Sequence, residues 1–208
     1  MTPPRTAAAL IALTITLTAC TPTAPEPPPA TPTSPTLVHM STRQPDPWDI
    51  TILDGWEVVH RNEFGLSVTH LLEGKSEAAR AAGFFIKRRR GDSVYERMNK
   101  GSTPGYPIEP QDLFHHEHQR LLFRETVDIT VLPERLIGGE KAFGFSSVDI
   151  TEARHALQET WFVVRHDGMW QFTLQPAHWE ETIPPEIYQM LDSFHWITPE
   201  PSPTTSQS

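Results

Sequence analysis

Cysteine occurs once among the 208 residues, at Cys20, so no intramolecular disulfide can form and the fold must be held by its own apolar core. Basic side chains are scarce as well: 17 Lys and Arg stand against 26 Asp and Glu, a formal charge of −9. That balance excludes the basic stripe through which proteins release counterions from phosphate backbones, and no nucleic acid is expected as a partner. No apolar run reaches the about 20 residues that span a bilayer. The longest, Thr6 to Thr18, is interrupted by threonines and bracketed by Pro3, Pro4 and Pro22. The HExxH pattern of zinc proteases is absent, and no other catalytic signature stands out. Hydrophobic residues make up 38% and charged residues 21%. Low-complexity ends dilute both figures, which leaves a middle of roughly 150 to 160 residues able to bury one sizeable core.

What the N-terminus does hold is a short basic start, Met1 to Arg5, then the apolar run, then small residues ahead of Cys20. Leu17-Thr18-Ala19-Cys20 resembles the lipobox of bacterial lipoprotein precursors. The resemblance implies that the Cys20 thiol takes a diacylglyceryl group, that residues 1–19 are removed as a signal peptide, and that Cys20 becomes the first mature residue. Loss of Arg5 would take the charge to about −10. The segment 20–44 is expected to be a lipidated tether: Thr21 to Thr36 carries Pro22, Pro25, Pro27, Pro28, Pro29, Pro32 and Pro35, a composition that buries no core and favours extended polyproline II. At about 3.1 Å per residue it would reach on the order of 50 Å. Residues 45–198 are expected to fold and 199–208, rich in Pro, Ser and Thr, to form a disordered tail.

Within the folded part, Trp48, Ile50 and Ile52 alternate with Asp49 and Thr51, and Trp56 and Val58 flank Glu57 beyond Asp54-Gly55. This predicts a β-hairpin over Trp48 to Asn62. Leu66 to Leu72 and Phe84 to Arg88 predict further strands, the last closing in Lys87-Arg88-Arg89-Arg90, which reads as a solvated strand end or a contact for anionic lipid headgroups. Gly91 to Pro110 reads as a loop with a short helical piece near Val94 to Met98, and a place for a lid or partner surface. Asp112 to Thr126 reads as a helix whose face includes Phe114, His118, Leu121, Leu122 and Glu125. His115 and His118 lie three apart on it, but a two-histidine pair is a weak metal signal and no metal is assigned. Val127 to Val131 and Lys141 to Ile150 predict strands, with Leu136-Ile137-Gly138-Gly139 between them. Ala156 to Arg165 and Met169 to Leu174 predict a hairpin turned by His166-Asp167-Gly168, and Ile183 to Phe194 a closing helix entered at Pro184-Pro185.

Trp48 to Val58, Gly138-Gly139 before the Ala142 strand, and the final Ser193-Phe194 together resemble the PsbP-like superfamily, in particular its LpqN-type and DcrB-like lipoproteins. The resemblance implies an α+β fold, an α/β/α sandwich around a mostly antiparallel sheet, with no common catalytic residues and no cofactor. The expected function is that of a lipid-anchored cell-envelope lipoprotein, on the outer face of the cytoplasmic membrane or on an outer membrane if the host has one. It would act as a non-catalytic module that binds or assembles an envelope protein. Such a module calls for an exposed aromatic patch drawn from Trp170, Trp179 and Trp196. A small-molecule or glycan-binding lipoprotein is the alternative and calls for a concave, partly apolar pocket. A hydrolase is the third reading: Gly144-Phe145-Ser146-Ser147-Val148 is like a nucleophile elbow without its last glycine.

Overall fold

A computed structural model describes residues 37–40, 45–70, 81–98, 107–122, 127–149, 156–177 and 180–197. In chain order the elements are β1 (Val38–His39), β2 (Trp48–Asp49), β3 (Trp56–Asn62), β4 (Gly65–His70), β5 (Ala82–Arg89), α1 (Gly91–Arg97) and β6 (Pro107–Ile108). They continue with α2 (Pro110–Leu122), β7 (Val127–Ile137), β8 (Glu140–Asp149), β9 (Ala156–Arg165), β10 (Gly168–Gln175), α3 (Pro185–Ser193) and β11 (His195–Trp196). Seven strands form one sheet in the order β3-β4-β5-β10-β9-β8-β7, every neighbour antiparallel. The fold is α+β, with helices on both faces of this sheet.

The period-two pattern explains how one strand supplies two cores. From β9, Trp161 and Val163 enter the layer beneath α3, joined there by Phe84, Trp170, Phe172, Ile187 and Met190. Phe162 and Val164 enter the opposite layer with Val94, Tyr95, Leu113, Phe114 and Phe145, beneath α1 and α2. Burial on both faces is why the strand reads as apolar without alternation. At the β7–β8 turn Gly138 and Gly139 adopt φ of 59° and 81°, the pair of positive values that a tight two-residue hairpin turn needs.

Four expectations are corrected. The hairpin over Trp48 to Asn62 does not form: β2 pairs with β11, Trp48 facing Trp196, while β3 pairs with β4. The Asp54-Gly55 turn is present, closed by the Trp56 N–H donating to the Leu53 carbonyl at 3.2 Å, but the segment before it crosses the layer under α3. Trp48 gains more there than a two-stranded ribbon offers, since its ring meets Trp170 at 6.2 Å and Phe194 at 5.7 Å. Second, residues 37–40 belong to the folded unit and not to the tether: β1 pairs with β6, and Met40 is buried with its N–H donating to the Tyr95 hydroxyl. Third, β7 does not stop before Pro133 but passes through it with a register shift between Leu132 and Arg135, which an edge strand tolerates because proline's missing N–H breaks no interior ladder. Fourth, α2 starts at Pro110 and buries Leu113, Phe114 and Glu117, leaving Leu122 exposed. Glu125 lies outside the described residues.

Two tyrosines tie helices into these layers. The Tyr188 hydroxyl donates to Glu159 Oε1 at 2.7 Å, and that of Tyr95 donates to the Met40 carbonyl at 3.4 Å. Burial, with the Glu159 carboxylate for Tyr188, pushes both above the ordinary tyrosine value of 10.0. A raised folded value means the protonated form is favoured in the fold, so the stabilisation is whole below pH 10 and lost as pH rises through the folded values. In an alkaline titration followed by tyrosinate absorbance, Tyr95 and Tyr188 are expected to ionise together with the loss of near-ultraviolet dichroism. Ionisation of both ahead of unfolding would overturn the assignment.

Candidate binding site

Cys20 and Trp179 lie outside the described residues, as do residues 99–106 of the expected loop. Residues 91–97 of that loop form α1, which buries Val94 and Tyr95. His115, exposed on α2, and His118 both lie against Phe114, the first tilted at 5.8 Å and the second stacked at 6.0 Å. Among the described residues no group of three or more His, Cys, Asp or Glu side chains is placed to hold a metal ion. Ser146 and Ser147 sit in mid-strand on β8, facing β9, and not at a strand-to-helix turn. Trp170 is fully buried and Trp196 packs against it at 4.9 Å, so these rings form core and no exposed aromatic patch.

The basic run is divided by the strand that carries it. Arg88 points into the α3 side, buried, where its Nε donates to the Asp167 carbonyl at 2.7 Å and its guanidinium lies 5.8 Å from the Phe64 ring centroid. Burial lowers its affinity for the proton, an effect the nearby Asp167 opposes. Lys87 and Arg89 point to the other face, and Arg90 pairs with Asp92 at 2.9 Å. A solvated strand end therefore describes only part of the run: Arg88 is a structural cation.

Its partner Asp167, wholly buried at the β9–β10 turn, accepts from the Asp46 N–H at 3.0 Å and from Trp170 Nε1 at 3.2 Å. Arg165 Nε lies 3.5 Å from it, and the Arg165 head reaches Asp46 at 2.7 Å and Glu140 at 2.6 Å while lying 3.9 Å from the Trp196 ring centroid. The network joins residues up to 121 positions apart. Both Asp167 oxygens are engaged, so this carboxylate holds the turn and is not a free base. The only signal in the sequence was an Asp-Gly turn, which says nothing of what the carboxylate will meet.

A concave surface lies elsewhere. Trp56, His70 and Ala82 face one another across β3, β4 and β5, and the Trp56 and His70 rings sit 5.3 Å apart. The small Ala82 and Ala177 leave a cleft of about 270 Å³ between this rung and the start of α3, open to solvent, with Asp54, Glu180 and Glu186 exposed at its rim. The cleft offers an aromatic wall and negative charge, which suits a cationic group.

No protein-family model and no curated protein sequence matches the chain. Solved proteins of similar shape include two of note. One is from Bacteroides thetaiotaomicron VPI-5482, at 10% identity and TM-score 0.42, over 76% of this chain and 50% of that one. The chain thus spans about half the length of the Bacteroides protein. The other is LpqN, involved in cell envelope biogenesis of Mycobacterium tuberculosis, at 10% identity and TM-score 0.48, over 77% of this chain and 88% of that one. Likenesses of this size assign neither family nor role.

Proposed function

We propose that the chain is a lipid-anchored cell-envelope protein whose α+β unit binds, without catalysis, a basic segment of an envelope protein. The Leu17-to-Cys20 motif, the proline-rich spacer and the resemblance to PsbP-like lipoproteins support the location. The cleft between Trp56 and the start of α3 carries the binding role. At about 270 Å³ it falls below the roughly 300 to 1,000 Å³ of sites that enclose a small molecule, and its rim carboxylates match a single Lys or Arg side chain presented by a larger partner.

The test is a crosslinking pull-down from intact cells expressing the lipidated protein with a photoreactive residue at the exposed position 181, beside the rim. A partner crosslinked through a Lys- or Arg-rich segment is expected. Glu180→Lys with Glu186→Lys, both at exposed positions, should leave circular dichroism unchanged and reduce that product several-fold. An undiminished yield would overturn the reading. The Trp56 face also favours a second one, a small amine or sugar laid against the indole, which a ligand copurifying with the native protein would support.

A further inference from the structure

We propose that Arg89, Arg97 and Arg120, gathered around Glu117 on the α1–α2 side of the sheet, form a binding site for a phosphate-class anion. The inference stands apart from the cleft, which belongs to the α3 side. Arg97 Nη1 donates to Glu117 Oε1 at 3.2 Å and Arg120 Nη2 to Oε2 at 3.1 Å, so one carboxylate, 3% exposed, holds two guanidiniums from separate helices. Arg89 reaches the same place from β5. Its Nη2 donates to the neutral Gln171 Oε1 at 3.0 Å, and its Nε is buried with no acceptor among the described residues. Burial first, and then the charges of Arg97 and Arg120, weaken its hold on the proton, and the Glu117 carboxylate opposes them.

One carboxylate thus pairs with two guanidiniums and acts on a third, a local excess of two positive charges in a chain whose net charge is −9. Lys87 adds a fourth positive group two residues along the same strand face, exposed. Glu117 is the only carboxylate paired with Arg97 and Arg120 among the described residues, and the neighbouring Asp92 is taken by Arg90. The Arg97 and Arg120 side chains are 39% and 47% exposed, so each keeps donors free toward solvent. A guanidinium is a planar fork of donors, and several forks converging with uncompensated charge match an anion with several equivalent oxygens better than a single carboxylate. The phosphate can belong to a soluble ion or to an anionic lipid headgroup.

The experiment titrates inorganic phosphate into the full chain by calorimetry, and separately measures sedimentation of the Cys20→Ala chain, which cannot be anchored, with phosphatidylglycerol or phosphatidylcholine vesicles. Arg97→Gln and Arg120→Gln each leave Glu117 one guanidinium and so keep the fold, and each should weaken binding at least about tenfold. Glu117→Gln, near-isosteric, removes the internal competitor and should strengthen it, which a purely structural cluster would not show. Saturable binding of free phosphate assigns the soluble source. Binding to phosphatidylglycerol vesicles alone assigns the headgroup. Neither binding, or affinity that these three variants leave unchanged, overturns the proposal.

Discussion

The Cys20→Ala protein is expected to leave the membrane fraction, either as uncut precursor or as released chain. Each buried methylene of an acyl chain contributes about 0.8 kcal/mol, so one chain holds a protein marginally and the two of a diacylglyceryl group hold it stably. Nothing else described here replaces that term. No helix among the described residues is long and apolar enough to cross a membrane. The arginine cluster around Glu117 has an excess of two charges, and basic groups near an anionic surface contribute about 1 kcal/mol each. Fractionation with mass analysis of the N-terminal peptide reads the result. Processed, membrane-bound material from the alanine variant would refute the anchor, and with it the location proposed for the protein.

Asp167→Ala is expected to destabilise the fold by about 3 to 5 kcal/mol, the range for removing one partner of a buried ion pair. That is a large share of the roughly 5 to 15 kcal/mol by which domains are stable. The substitution strips the Asp46 N–H and the Trp170 indole N–H of their acceptor and leaves the Arg165 head, 9% exposed, with only the half-exposed carboxylates of Asp46 and Glu140. The indole N–H cannot turn to water, because Trp170 is sealed under Trp48 and Trp196. Asp167→Asn keeps one acceptor oxygen and should lose less. Urea unfolding at unchanged slope measures both. A loss under about 1 kcal/mol for the alanine variant would show that the network is solvated and not a clamp.

The cleft was only half legible. Trp56 and His70 are readable as strand residues, but their meeting with Ala82 depends on β3 pairing with β4 and β4 with β5. Glu180 and Glu186 join them only because α3 packs back across the sheet, and spacing along the chain carries no trace of that. Of the arginine cluster only Arg89 lies in the visible run Lys87 to Arg90, and a run of like charges looks uniform until the strand assigns alternate members to opposite faces. Arg88 then finds the Asp167 carbonyl, while Arg89 finds Gln171 and comes under the charge of Glu117, nearly thirty residues on.

The sequence by itself determined those elements whose shape depends on neighbours in the chain. The β9–β10 hairpin follows from its His166-Asp167-Gly168 turn, the β7–β8 connection from Gly138-Gly139 at positive φ, and α3 from Pro184-Pro185 ahead of Ile187, Met190 and Leu191. Only the tertiary structure decided which strand Trp48 would join, that residues 37–40 would be recruited, and which charges would be buried together. The physical reason is that turns and helix starts are set by local dihedral preference and hydrogen bonding. Strand partners and buried ion pairs are instead chosen by how much surface leaves water when distant segments meet, a quantity that belongs to no single stretch of chain.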